Sequence, residues 1–146
     1  MSQETLPHPD VRAETGRPGT IRFPQGLLGF PDILEYELGP GPGEGLYWLV
    51  GSGEETPRFL VSDPFAFFEG YELDLTPEQA RSIEADDASQ VGVLAITVPS
   101  REGAWTANLQ GPIVINAAKG IAAQLVLPGD EPGLRRPFQP VLVSAA

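Results

Sequence analysis

The stretch VGVLAITVPSREGAWTANLQGPIVINAAKGIAAQLVL, residues 91–127, contains four apolar runs separated by short polar breaks. Each run has the length of a β-strand and is rich in the β-branched or aromatic residues that favour strands. The break PSREG at 99–103 has the composition of a hairpin loop between two strands. The stretch therefore predicts four strands, of which the first two are joined by a hairpin loop.

Similar apolar runs occur on both sides of this stretch. They are TIRF (20–23), LYWLV (46–50), RFLVS (58–62), YELDL (71–75) and QPVLV (139–143). The chain of 146 residues also holds 17 glycines and 16 prolines, which interrupt regular backbone and disfavour long helices. We therefore predict a mainly β, single-domain antiparallel β-barrel-like fold of about eight or nine strands, closed or sandwich-like.

One segment, TPEQARSIEA at 76–85, has the signals of a helix. Thr76 can cap the helix, Pro77 suits its first position, and Gln79 completes a capping box. Its apolar residues are few, so we predict one short helix on the outer surface of the β structure.

The first 19 residues mix Pro, Gly and charged side chains without apolar periodicity. We predict a disordered tail over 1–19 and a folded domain over 20–146. The N-terminus lacks the basic and apolar regions of a signal peptide, and the sequence holds no long uninterrupted apolar run. We expect a cytoplasmic protein without a membrane segment.

The charge balance is strongly acidic, with nine basic and 20 acidic residues and a net charge of -11. Such a surface repels phosphate backbones and anionic membranes, so we expect neither direct nucleic-acid binding nor membrane binding. A basic protein partner, in contrast, would be attracted and steered at low salt.

Few residues are suited to catalysis. The chain has no cysteine, and its one histidine, His8, lies in the predicted tail, so the usual nucleophile and base pairs are missing. Glu84, Asp86 and Asp87 form the tightest carboxylate cluster, but their spacing is not that of a calcium loop. We predict no enzyme activity, no metal and no cofactor, and we interpret the cluster as a solvated helix end. An acidic-site enzyme that uses these three carboxylates is an open alternative.

The stretch SDPFAFFEGYELDL, residues 62–75, places aromatic residues among acidic ones. Asp63 and Pro64 predict a turn. The alternation in YELDL predicts a half-buried strand whose inward side chains are Tyr71, Leu73 and Leu75.

The three phenylalanines of this stretch cannot all share one strand face, because two of them are adjacent. At least one ring is therefore expected near the surface, beside acidic side chains. An aromatic anchor inside an acidic rim would suit a basic partner. The predicted partner-binding residues are Phe65, Phe67, Phe68, Glu69, Glu72 and Asp74.

Three amide side chains, Asn108, Asn116 and Gln124, lie among apolar residues near the break at Pro112. Proline cannot donate to a sheet ladder, so Pro112 predicts a strand start, an edge or a bulge. The amides can bond backbone groups that the ladder leaves unpaired, and we predict them to be structural polar staples. The alternative is an exposed edge that pairs with an extended partner segment.

Five segments follow one another in an order shared with a known family. They are FPQGLLGFPD (23–32), FLVSDPF (59–65), GYEL (70–73), VGVLAITVPS (91–100) and ANLQGPIVIN (107–116) followed by Gln124. Together they resemble the flagellar assembly factor FliW over residues 20 to 143. The chain departs from the usual family pattern at Val50-Gly51-Ser52, at Gly111 and at Gly133-Leu134-Arg135-Arg136.

The resemblance implies a small β-barrel-like protein without catalytic activity. It further implies binding to the CsrA-type translational regulator, which prevents repression of flagellin mRNA, and binding to flagellin, which competes for the same factor. We expect a monomer when the protein is free. An acidic β-domain that binds another protein client is the alternative.

Overall fold

A computed structural model describes residues 19–128, 133 and 135–140. The described chain is mainly β, with two short helices, α1 (Pro64–Phe67) and α2 (Pro77–Ser82), and a single 3-10 turn at Ala88–Gln90. Its strands are β1 (Thr20–Arg22), β2 (Glu35–Pro40), β3 (Leu46–Gly51), β4 (Arg58–Ser62), β5 (Val91–Val98), β6 (Trp105–Ala107), β7 (Ile113–Asn116), β8 (Ile121–Gln124) and β9 (Arg136–Phe138). The predicted fold class is confirmed. Among the described residues, neither helix has the length and hydropathy of a membrane-spanning helix.

Seven strands close into a barrel in the order β4-β3-β2-β1-β8-β7-β5, because β4 also pairs with β5. The pairs are antiparallel except for the seam between β1 and β8, which is parallel and joins only Arg22 to Ile121. Outside the barrel, β6 pairs with β5 and β9 pairs with β6.

The break at Pro112 lies where β5 changes partners. β5 pairs with β7 through Val91–Leu94, and with β6 through Thr97 and Val98. Pro112 directly precedes β7, where its missing N–H leaves no gap in the ladder. The prediction of a strand start at Pro112 is confirmed.

Buried side chains fall into one cluster inside the barrel and two clusters on its outer face. Successive residues of β7 show the alternation: Ile113 and Ile115 belong to the inner cluster with Tyr36, and Val114 belongs to an outer one. The outer cluster on β7 and β8 is covered by Ile83 and by the segment before α2. The other outer cluster lies on β3 to β6 and is covered by α1 and Phe138.

The capping box of the predicted helix is present. Thr76 Oγ1 accepts from Gln79 N at 3.1 Å, and Thr76 N donates to Gln79 Oε1 at 2.9 Å. The helix ends at Ser82, earlier than predicted, because Glu84 turns the chain with a φ of 57°. That angle lies in the left-handed region, which does not continue a helix.

Two predictions about local structure are wrong, and two strands were missed. The segment 71–75 joins no strand in the described chain, although its side chains alternate as expected. Asp63 and Pro64 begin helix α1 instead of a turn. The strands β2 and β9 were not predicted, because their acidic, basic and proline residues obscure the apolar pattern.

Two further predictions reach beyond the described chain. Of the QPVLV run, Gln139 and Pro140 lie in no strand and 141–143 lie outside the described residues. The predicted tail also lies outside them, except for Gly19.

Candidate protein-binding site

Residues 63–87, here called the covering layer, pack across the outer face of the barrel. The layer starts at Asp63, whose side chain is buried and whose Oδ1 accepts from Phe65 N at 2.9 Å. A carboxylate in this position caps a helix start, and Pro64 suits the first helical position. The sequence thus folds locally into α1 and brings its aromatic side chains against the sheet.

The three phenylalanines predicted to bind a partner contact two different clusters. Phe65 packs edge-to-face on Tyr71, with ring centroids 5.0 Å apart. Phe67 and Phe68 both reach Phe138, at centroid distances of 4.8 Å and 5.5 Å. All three rings are half-buried. We expected the rings to alternate between the two faces of a strand, but residues 64–67 form a helical turn and Phe68 is extended, so this alternation does not apply.

Acidic side chains dominate the exposed part of the covering layer. Seven carboxylates lie between 69 and 87, against one basic residue, Arg81. All seven are exposed; they are Glu69, Glu72, Asp74, Glu78, Glu84, Asp86 and Asp87. The structure therefore places the predicted Glu69, Glu72 and Asp74 on one surface layer with the half-buried aromatic rings.

The carboxylates at 84–87 make local structural contacts. Glu84 pairs with Lys119, with Oε1 and Nζ 3.3 Å apart, and Asp87 Oδ1 accepts from Ser89 N at 2.9 Å. Across the described residues, no group of three His, Cys, Asp or Glu side chains is placed to hold a metal ion. These contacts describe a solvated helix end.

Asn116 joins the covering layer to the barrel. It is buried at the end of β7, and its Nδ2 donates to Ile83 O at 3.0 Å and to Glu84 O at 3.1 Å. The last carbonyls of a helix lack partners within the helix, so this amide satisfies groups that burial would otherwise leave unpaired.

Asn108 and Gln124 both bond the backbone of Gly111. Asn108 Oδ1 accepts from Gly111 N at 3.0 Å, and Gln124 Nε2 donates to Gly111 O at 3.1 Å. Gln124 Oε1 also accepts from Leu28 N at 2.9 Å, which links β8 to the loop after β1. A Cβ at Gly111 would lie 3.0 Å from Gln124 Nε2 and 3.1 Å from the Asn108 amide nitrogen. The glycine thus lets both amides approach the same peptide unit.

Tyr71 makes the stability of the folded chain depend on pH in the alkaline range. Its buried hydroxyl has no hydrogen-bond partner among the described residues, and burial raises the pKa of Tyr71 to about 12. The unfolded state, with a tyrosine pKa of about 10, loses its proton first as pH rises. Ionisation of Tyr71 therefore leaves the free energy of unfolding unchanged below about pH 10. Between about pH 10 and 12 it lowers the free energy of unfolding, because only the unfolded state has lost the proton.

The change Tyr71→Phe is expected to leave the free energy of unfolding near the wild-type value at neutral pH. Above about pH 10 the variant should lose up to about 1.4 kcal/mol less per pH unit than the wild type. Urea denaturation followed by circular dichroism across this range measures the difference. Equal losses in the two proteins would contradict a buried, neutral Tyr71.

The family of the chain is shown by comparison with known sequences. The family model described as FliW protein matches residues 10–138. The chain belongs to the FliW family. A flagellar assembly factor FliW from Symbiobacterium thermophilum is 36% identical over 121 residues, covering 81% of this chain and 88% of the relative. One from Geotalea uraniireducens is 34% identical and covers 94% of this chain and 84% of the relative.

A solved structure of the FliW family has the same fold. The crystal structure of the flagellar assembly factor FliW matches with a TM-score of 0.71 at 25% identity, covering 88% of this chain and 89% of that chain. The likeness covers most of both chains, so this FliW family member has the fold of that structure.

Sequence reasoning missed Phe138 as the residue that anchors the covering layer. Phe138 is 6% exposed and contacts the rings of Phe67, Phe68 and Trp105. Its local sequence is RRPF, and the two arginines and the proline hide the strand. The one available signal was a lone aromatic residue in an otherwise polar segment.

Proposed function

We propose that this FliW family member is a flagellar assembly factor that acts by binding proteins, in the cytoplasm and without catalysis. The curated relatives are named flagellar assembly factors. The described residues offer a packed barrel whose polar amides are bonded to backbone groups, and the carboxylates at 84–87 make structural contacts. A binding function needs a surface with complementary chemistry, and the covering layer has one.

In our proposal, the covering layer binds the CsrA-type translational regulator and so relieves its repression of flagellin mRNA. The observation that carries this is the exposure of seven carboxylates over residues 69–87 above half-buried phenylalanines. RNA-binding regulators expose basic surfaces, because neutralising phosphates requires Lys and Arg. A basic partner is attracted to the layer over a distance set by salt screening, and the aromatic rings supply apolar contact area after docking.

Flagellin is the second proposed partner, and it competes with the regulator for the factor. When free flagellin accumulates, it occupies the factor, the regulator is released, and flagellin synthesis falls. When two partners exclude one another, the fraction of the factor bound to each depends on its concentration relative to its Kd, which is all that such a switch requires.

Titration calorimetry with the cognate regulator, and separately with flagellin, tests the proposal. We expect saturable binding of the regulator with low-order stoichiometry, weaker at high salt because screening shortens the reach of the exposed carboxylates. Added flagellin should reduce the regulator bound. Heat from neither partner, with no capture of either, would indicate an acidic domain with another protein client.

A further inference from the structure

All five large apolar side chains that are exposed in the described chain lie at one end of the barrel, here called the apolar end. They are Leu28, Phe30, Leu34, Val98 and Val126, with exposed fractions from 37% to 72%. The strand registers place them together: β5 and β8 finish at this end, and β2 and β4 begin there. Scattered apolar residues are normal on a protein surface, but a set confined to one end is typical of a contact surface.

The same end contains a strand edge for which the described residues provide no backbone partner. β8 continues past its last residue, since Leu125 N donates to Pro112 O and Leu127 N donates to Gln110 O, each at 2.8 Å. Backbone groups alternate in direction along a strand, so those of Gln124 and Val126 point away from β7.

On that side β1 has already turned away from β8. Phe23 N donates to Leu34 O at 2.6 Å, and the β1–β8 pairing stops at Arg22 and Ile121. Within the described chain, no strand pairs with Gln124 or Val126 at the seam, and the link across it is the bond from Leu28 N to the Gln124 side chain. An unpaired edge of this kind is a template for another strand.

The three segments that meet at this edge carry no charged side chain. Segments 23–31, 108–118 and 120–128 contain no Asp, Glu, Lys or Arg, in a protein with 29 such residues. A charged side chain brought against them would lose hydration without gaining an opposite charge. The edge therefore suits an uncharged segment, whereas the covering layer suits a basic one.

A groove extends from this region across the end of β5. Its volume is about 500 Å³, and it is lined by Ile96, Val98, Thr106, Asn108 and Arg135. Asn108 bonds the N–H of Gly111 and Gln124 bonds its carbonyl, so the groove wall and the strand edge meet at one residue.

We propose that the edge at Gln124–Val126 binds an extended, uncharged segment of a partner protein by strand addition. The segment pairs its backbone with the free groups of Gln124 and Val126. Its apolar side chains, at alternate positions on one face, contact Val126 and Leu28. The edge belongs to β8 and its free backbone groups are not part of residues 63–87, so the proposal does not depend on the regulator-binding function.

A phage-displayed library of random peptides, selected on the immobilised full chain, identifies the preferred ligand without assuming it. We expect enrichment of uncharged sequences with apolar residues at every second position. A synthetic copy of an enriched peptide should slow hydrogen exchange at the Gln124 and Val126 amides by at least about tenfold. The same peptide N-methylated at alternate residues keeps its side chains but loses backbone donors, and it should not bind.

The variant Val126→Lys places a charge at the edge and should weaken peptide binding by about tenfold or more. Ala118→Lys adds the same charge in the exposed turn between β7 and β8, at the other end of the barrel, and should leave binding unchanged.

Three results would overturn the proposal: enrichment of basic peptides, equal binding by Val126→Lys, or equal binding of the N-methylated peptide. Dimerisation of the chain through this edge would also overturn it, since the occupant would then be a second copy. Calorimetry with the regulator measures the proposed function independently. Failure of peptide binding and failure of regulator binding can therefore be distinguished.

Discussion

Replacing Phe138 with alanine is expected to lower the free energy of unfolding by about 3–5 kcal/mol. The side chain is 6% exposed and lies in the outer cluster with Leu46, Leu60 and Ala107. Its removal leaves a cavity and abolishes three aromatic contacts, each of which adds to the energy of simple burial.

The loss should be concentrated in the covering layer and in β9. Phe67 and Phe68 belong to α1 and to the residue after it, and both use Phe138 as their ring partner. Without that ring, α1 is a helix of four residues with little to hold it to the sheet. Hydrogen exchange of the Phe138→Ala variant should therefore increase over 64–68 more than in the barrel strands.

Urea denaturation of Phe138→Ala and of a matched control, Leu34→Ala, measures the effect. Leu34 is 43% exposed, so its truncation should cost less than about 1 kcal/mol. If both variants lose the same stability, Phe138 is not the anchor of the layer. Retained protection at 64–68 in Phe138→Ala would point to the same conclusion.

Reversing three charges of the covering layer, with Glu69→Lys, Glu72→Lys and Asp74→Lys together, is expected to slow association with the regulator by about 10–100-fold at low salt. All three side chains are exposed, so the change should leave the fold intact. The effect acts mainly on the association rate, because exposed charges steer the encounter and are screened once salt is added.

The control for this experiment reverses Glu35, Glu37 and Glu54, which are exposed on β2 and in the loop after β3. It changes the net charge by the same amount and leaves the covering layer unaltered. Stopped-flow association at low and high ionic strength compares the two triple variants. Equal slowing by both would show that overall charge attracts the regulator and that residues 69–74 are not the contact.

The covering layer shows how far the local sequence predicts structure. The capping box at Thr76 and Gln79 was predicted correctly, because a cap depends on residues three positions apart. The inward direction of Tyr71, Leu73 and Leu75 was also correct, since alternation follows from an extended backbone. The strand assigned to these residues was wrong, because alternation alone does not say whether another strand lies alongside.

The phenylalanines show where local reasoning stops. We expected Phe67 and Phe68 to face opposite sides, as neighbours in a strand do. Asp63 and Pro64 instead start a helical turn, which brings both rings to Phe138. That contact joins residues about 70 positions apart, and nothing in either segment indicates the other.

Residue types and local spacings specify the mainly β class, the cap of α2, the strand start at Pro112, the acidic charge of residues 69–87 and the membership of the FliW family. These properties depend on residue types and on spacings of a few positions. Long-range packing sets the closure of the barrel through β4 and β5, the anchoring of α1 by Phe138, and the gathering of exposed apolar side chains beside an edge of β8 that the described residues leave unpaired. Each of these depends on strand order and register, which are set by packing between segments that are far apart along the chain.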